Sequence, residues 1–91
     1  GKLIRLPIPD LNEERRRELV KQVKKSGEEY RISVRNERRD AMNALKELEK
    51  SKSLTEDDLT REKDRVQKLH DTHMKAVDEA VAAKEKELMQ V

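Results

Sequence analysis

The segment Ser51-Lys52-Ser53-Leu54-Thr55-Glu56-Asp57-Asp58 decides the fold, because it interrupts an otherwise continuous helical pattern. Its first four residues form a short turn. Thr55 can then cap a new helix, and acidic residues follow where a capping box places its partner. Two long helices joined by so short a turn must pack antiparallel. The segment therefore predicts an all-α fold, a long antiparallel two-helix hairpin.

Each side of this turn carries a long helical pattern. Asn12 is a suitable N-cap for the first helix, since its side-chain oxygen can accept from unpaired first-turn N–H groups. The pattern then runs to about Ser51, which at 1.5 Å per residue makes a helix of roughly 57 Å. Gly27 lies inside it and costs about 1 kcal/mol relative to Ala, which so long a helix tolerates. The second helix is predicted from Glu56 to about Met89.

The residues before the first helix have a different character. Pro7 and Pro9 fix φ, remove two backbone donors and favour extended geometry in the residues before them. The sequence therefore predicts two parts, an extended hinge segment over residues 1–11 and the helical hairpin over residues 12–91.

Apolar residues follow heptad-like stripes along both helices, with spacings of three and four. On the first helix the stripe is Val20, Val23, Gly27, Tyr30, Val34, Glu37, Ala41, Ala44 and Leu48, with Leu19 and Leu45 on its flank. On the second helix, one stripe is Leu59, Val66, Leu69, His73, Ala76, Ala80 and Ala83, and an adjacent one is His70, Met74, Val77, Val81 and Leu88. So wide an apolar face suits a helix with two neighbours, as in a three-helix bundle. We expect the third helix to come from elsewhere or from another copy, and so predict self-association as a dimer.

Composition limits both the core and the chemistry. Charged residues make up 46% of the 91 residues and apolar residues 33%, against about 25% and 45–50% in average domains. A core this thin seldom contributes more than about 3–5 kcal/mol. Without Cys there are no disulfides or thiolate metal sites, and no apolar run approaches the roughly 20 residues that cross a membrane. Because the net charge is only +2, affinity for polyanions requires local clustering.

Such clustering occurs in the segment Tyr30–Asp40. Arg31, Arg35, Arg38 and Arg39 occupy positions i, i+4, i+7 and i+8, which fall within one helical sector beside the apolar seam. We expect this sector to face solvent. The planar guanidinium group donates two hydrogen bonds to a phosphate, and such contacts position a protein on nucleic acid without reading bases. The alternative is a solvated helix face in a highly charged chain.

A second basic cluster, Arg15-Arg16-Arg17, begins the first helix. Arg16 keeps the heptad register of Val23 and Tyr30, which places it at the open end of the seam. The helix dipole disfavours cations at a helix N-terminus. A nearby phosphate backbone would account for the cluster, and so would chance.

The remaining polar residues do not predict catalysis. His70 and His73 share a helical face, but they fall on the apolar stripes without a third metal ligand. Asp57 and Asp58 fit a capping role in the first turn. There is no nucleophile beside a base and no Gly-rich phosphate loop, and a thin hairpin offers no concave site. We therefore expect no enzyme, no metal and no cofactor.

Four motifs, in order along the chain, resemble those of the ribosome recycling factor family. Leu6–Arg16 matches a hinge of the form x-Pro-x-Pro followed by a Glu-Glu-Arg-Arg helix start. Val34–Asp40 matches the segment Val-Arg-Asn-x-Arg-Arg-Asp. The turn Leu54–Asp58 and the closing segment Lys84–Met89 also match.

The resemblance implies a fold and a function. Members are L-shaped, with a long three-helix bundle and an inserted β-rich domain. Together with elongation factor G they split post-termination ribosomes, and the bundle lies on large-subunit rRNA. The resemblance implies rRNA contacts by Arg16, Arg35 and Arg38, with Arg39 and Arg31 in support. It also implies location in a bacterial cytoplasm or in an organelle's stroma or matrix.

The chain departs from the family pattern by lacking the first helix and the inserted domain, so we expect a fragment of a longer protein. The competing hypothesis is a structural, coiled-coil-like hairpin that mediates protein association without binding RNA.

Overall fold

The structure, a computed structural model, describes residues 12–90. Helix α1 spans Glu13–Lys50 and helix α2 spans Glu56–Met89. No strand occurs within these described residues, and the two helices pack against each other along the hairpin. The predicted all-α hairpin is therefore confirmed. The hinge segment predicted for residues 1–11 lies outside the described residues.

Local capping fixes where both helices begin. The Asn12 side chain accepts a hydrogen bond from the Arg15 N–H at 2.7 Å. At the start of α2, the Thr55 hydroxyl accepts from the Asp58 N–H at 3.1 Å. Both bonds satisfy a first-turn N–H that has no partner within its own helix. The two predicted N-caps are confirmed.

The turn between the helices is a Schellman motif. After the C-cap Ser51, Lys52 adopts φ 60°, in the left-handed region. The Lys52 N–H donates to the Glu49 carbonyl and the Ser53 N–H to the Leu48 carbonyl, both at 2.9 Å. This pattern closes the last turn of α1 and reverses the chain within a few residues.

The helices approach closely at Gly27, which is buried. A Cβ atom built there would lie 2.5 Å from Cγ2 of Val81 on α2. No side chain fits in that space without a shift of one helix or of Val81. The glycine that costs helix propensity is therefore required by packing.

The helix–helix seam follows the predicted stripe of α1 in part: Gly27 is buried and Val20, Val23, Val34 and Ala41 are half-buried. Leu45, placed on the flank of the predicted stripe, is buried, while Tyr30 and Leu48, placed within it, are 66% and 43% exposed. On α2, Leu59 is buried, and the half-buried positions of the apolar stripes include Val66 as well as His70, Met74, Val77, Val81 and Leu88, whereas Leu69 and His73 stay exposed. The apolar face of each helix is thus wider than the seam, and only part of it contacts the other helix.

The other side of the stripes forms an open apolar groove along the hairpin. Near the open end it encloses about 510 Å³. Its apolar lining there comprises Leu19, Val23, Gly27, Tyr30, Val77, Ala80, Val81 and Leu88. A second cavity of about 180 Å³ continues it toward the turn, between Val34 and His73. Among the described residues, Leu45 and Leu59 are the only buried apolar side chains. The hairpin thus has a seam rather than a core.

Candidate nucleic-acid interface

The hairpin has two chemically different flanks. The groove, with Tyr30 and Leu48, lies along one of them. Arg35 follows Tyr30 by five residues, which is about 140° around the helix. The four predicted arginines form a surface turned away from Tyr30, although Arg31 also reaches α2 and Arg38 also lines the smaller cavity. We call this surface, defined by Arg31, Arg35, Arg38 and Arg39, the basic flank.

Arg31 connects the two helices. Its Nε donates to Oδ1 of Asp78 on α2 at 2.8 Å, and its Nη1 lies 3.5 Å from Oε2 of Glu28. The hydrogen bond to Asp78 raises the pKa of Arg31 above its ordinary value. Because its side chain is only 21% exposed, the prediction that the whole sector faces solvent is wrong for this residue.

Arg35 and Arg39 are exposed members of the basic flank whose ion pairs stay within α1. The Arg35 side chain is 52% exposed, and its Nη1 lies 3.3 Å from Oε1 of Glu28. The Arg39 side chain is 66% exposed, and its Nε lies 3.8 Å from Oδ1 of the neighbouring Asp40. A guanidinium group carries five N–H donors. These single ion pairs therefore leave both residues with donors directed at solvent.

Arg38 is exposed but hydrogen-bonded to a side chain of α2. Its Nη1 donates to Oε1 of Gln67 at 3.0 Å, and Nε2 of Gln67 donates to Oδ1 of Asp71 at 3.0 Å. This chain of hydrogen bonds ties the Arg38 side chain to α2. Arg38 is thus partly preorganised although it is exposed.

Arg16 does not join this cluster. It is buried, with 8% of its surface exposed, in keeping with the predicted position in the register of the seam. It precedes Arg35 by 19 residues, which is about 28 Å along the helix. Any contact it makes with a nucleic acid is separate from those of the basic flank.

The acids on the basic flank were missed in the sequence. Glu28 lies three and seven residues before Arg31 and Arg35, so helical spacing alone could have identified it. Asp78 lies on α2, and its contact with Arg31 depends on the register between the helices. The flank is consequently less positive than the count of four arginines indicates.

The histidines lie in the groove. His70 and His73 line its smaller cavity together with Glu37. His70 Nδ1 is buried and has no hydrogen-bond partner among the described residues. No group of three or more potential metal ligands is found in the part of the chain that the structure describes. Neither α1 nor α2 is long and apolar enough to cross a bilayer.

Comparison with known proteins identifies the family of this hairpin. The family model described as "Ribosome recycling factor" matches residues 1–89. Among curated proteins, the chain is 56% identical to a ribosome-recycling factor of Symbiobacterium thermophilum and 55% identical to that of Thioalkalivibrio sulfidiphilus. A third, from Caldicellulosiruptor bescii, is 50% identical.

These alignments cover all 91 residues of the chain. They cover 49–50% of the relatives, so the chain spans about half their length. The match thus includes both helices, the turn between them and the arginines of the basic flank. The chain belongs to the ribosome recycling factor family.

Proposed function

We propose that this hairpin is the rRNA-binding helical part of a ribosome recycling factor. In this proposal the whole protein dissociates post-termination ribosomes together with elongation factor G. The hairpin contributes by resting its basic flank on large-subunit rRNA. The protein acts by binding, without catalysing a reaction and without a cofactor. Its place of action is the bacterial cytoplasm or the equivalent organellar compartment. Family membership supports a role in recycling.

The observation that carries the proposal is the arrangement of Arg35, Arg38 and Arg39. All three are exposed on α1, and Arg38 is hydrogen-bonded to Gln67 of α2. Charge-assisted hydrogen bonds from such groups to phosphate oxygens are roughly twice as strong as neutral ones. A helix also presents them at fixed spacing, so less entropy is lost on binding.

The other predicted arginines have supporting roles in this proposal. Arg31 holds α2 through Asp78 and keeps part of its guanidinium group at the flank. Arg16 acts at a second point near the start of α1, where its burial limits it to a short contact. We propose a smaller loss of affinity from replacing either residue than from replacing Arg35.

The test is co-sedimentation of the chain with purified bacterial large ribosomal subunits. Replacing both Arg35 and Arg38 with Ala removes two charge-assisted contacts, each worth about 1.5–3 kcal/mol when fully formed. We expect at least a tenfold loss of affinity with unchanged helical circular dichroism, since both side chains are exposed. The matched control replaces Arg65 and Lys68, which are exposed and ion-paired on α2. Unchanged affinity of the Arg35/Arg38 variant would refute the proposal.

The groove supports a second candidate, a structural hairpin that associates with other helices. Its apolar lining and its exposed Tyr30 and Leu69 provide a surface for helix packing. In this alternative the arginines serve only solubility, and the partner is a second copy of the chain. The two candidates differ in which flank is essential, so substitutions on each flank separate them.

A further inference from the structure

The basic flank continues toward the start of α1 beyond the four arginines. Arg17, Lys21 and Lys24 are spaced by four and three residues and are all exposed. Arg17 precedes Arg35 by 18 residues, which is five full turns of an α-helix. These three cations therefore lie in line with Arg35, on the flank away from the groove.

Among the described residues, the cations of this extension form fewer ion pairs than the four arginines Arg31, Arg35, Arg38 and Arg39 do. Glu28 forms its ion pairs with Arg31 and Arg35. Within residues 12–90, no ion pair is found for Arg17, Lys21 or Lys24, whereas Arg31 and Arg35 are both paired. In the part of the chain that the structure describes, the charges of Arg17, Lys21 and Lys24 are thus available for a polyanion in this first half of α1.

The flank carries cations but no aromatic side chain. Tyr30 is the one aromatic residue of the chain, and it lines the groove on the other side. Aromatic side chains are the usual platform on which proteins stack unpaired bases. Lys21 and Lys24 instead suit the phosphate backbone, to which ammonium groups bind as point charges.

We propose that Arg17, Lys21 and Lys24 are phosphate-contacting residues that extend the RNA-binding surface of this chain. Arg17 and Arg39, the ends of this surface, are 22 residues apart, which is about 33 Å along the helix. The ligand is the phosphodiester backbone of a folded RNA, bound without base recognition. The inference rests on the proposed function, because it extends the surface for which rRNA is the proposed ligand.

The test compares the salt dependence of binding to purified large ribosomal subunits. Each phosphate contact released lowers the magnitude of the slope of log K against log salt by about 0.7–0.9. Replacing Lys21 and Lys24 with Gln should therefore lower it by about 1.4–1.8 and weaken binding at low salt. The matched control replaces Lys75, exposed on α2, and Lys84, which lines the groove. The control should retain the parent slope.

The outcomes separate this inference from the function on which it rests. If Lys21→Gln/Lys24→Gln binds as the parent does while Arg35→Ala/Arg38→Ala binds weakly, the extension is refuted and the proposed function stands. If neither variant loses affinity, both are refuted. An equal loss in the Lys75/Lys84 control would also overturn the extension, because total charge would then explain the effect. Circular dichroism checks that every variant keeps its helices.

Discussion

At the scale of single residues, Gly27 shows how packing overrides local preference. Glycine lowers the stability of a helix interior by about 1 kcal/mol relative to Ala. Yet a Cβ at this position would lie 2.5 Å from Cγ2 of Val81. Val is β-branched and stiff about χ1, so it cannot readily turn aside. The close approach of α1 and α2 therefore depends on the absence of a side chain at Gly27.

We predict that Gly27→Ala destabilises the hairpin despite its better helix propensity. Overpacking typically costs about 1–3 kcal/mol, against the gain of about 1 kcal/mol in propensity. Val81→Ala should relieve the clash, so the double variant should unfold at higher urea concentration than Gly27→Ala alone. Urea titrations of the parent, both single variants and the double variant would measure this coupling. Strictly additive changes in unfolding free energy would contradict the close approach.

A second residue-scale prediction concerns Glu28, which pairs with Arg31 and Arg35 on the basic flank. Glu28→Gln removes a negative charge that competes with phosphate for both arginines. Since exposed pairs are worth about 0.2–1 kcal/mol, we expect affinity for large ribosomal subunits to rise by about two- to fivefold. The neighbouring Glu29→Gln is the control, as Glu29 is exposed without an ion pair within residues 12–90. Equal effects of the two substitutions would indicate that only net charge matters.

At the scale of elements, the start of α2 is built by reciprocal capping between Thr55 and Asp58. Thr55 accepts from the Asp58 N–H at 3.1 Å. In return, hydrogen bonds from Thr55 are the main reason that the pKa of Asp58 lies below its ordinary value, and Arg61 contributes further. The acidic residues of this turn are accounted for by helix initiation and not by a paired-carboxylate site.

The lowered pKa gives a pH dependence with a definite sign. Because the folded chain holds Asp58 ionised, its contribution to stability is present above the ordinary pKa of 3.8. It is lost as the pH falls through the lower, folded value. We expect Asp58→Asn to lower the thermal midpoint at pH 7 and to make little difference at the acid end. Circular dichroism melts between pH 7 and pH 2 would test this, and a gap independent of pH would contradict it.

The elements also show what sequence could and could not predict. Both helices begin at N-caps, Asn12 and Thr55, whose hydrogen bonds reach only three residues along the chain. The starts of the helices were therefore predicted correctly. The seam was predicted only in part, because buried and open stripes are both apolar, and Tyr30 looks as suitable as Leu45. Likewise, helical spacing grouped Arg35 with Arg38, whereas the Arg31–Asp78 contact depends on how α2 packs.

At the scale of the whole molecule, the described residues 12–90 form a hairpin with a thin seam and an apolar groove along one side. Leu45 and Leu59 are its only buried apolar side chains within residues 12–90. Exposed apolar surface of this kind favours association through the hydrophobic effect. A second copy placed on the groove would complete a four-helix bundle, as predicted from the width of the apolar stripes.

We therefore predict that the chain forms dimers at micromolar concentration, measurable by sedimentation equilibrium. Leu69→Lys, which places a charge beside the smaller cavity, should shift the equilibrium to monomer. Ile32→Lys is the matched control, because Ile32 is also an exposed large apolar residue but does not line the groove. A well-folded monomer of the parent chain at these concentrations would contradict self-association.

The central claim, that the basic flank of α1 lies on large-subunit rRNA, can be tested by site-directed hydroxyl-radical cleavage. The chain has no Cys, so one introduced Cys carries the iron chelate at a single position. Lys46 lies 11 residues after Arg35, about 20° around the helix from it, whereas Ala44 lies toward the groove. We predict strong rRNA cleavage from Lys46→Cys and weak cleavage from Ala44→Cys. Stronger cleavage from Ala44→Cys, or equal cleavage from both, would contradict the account.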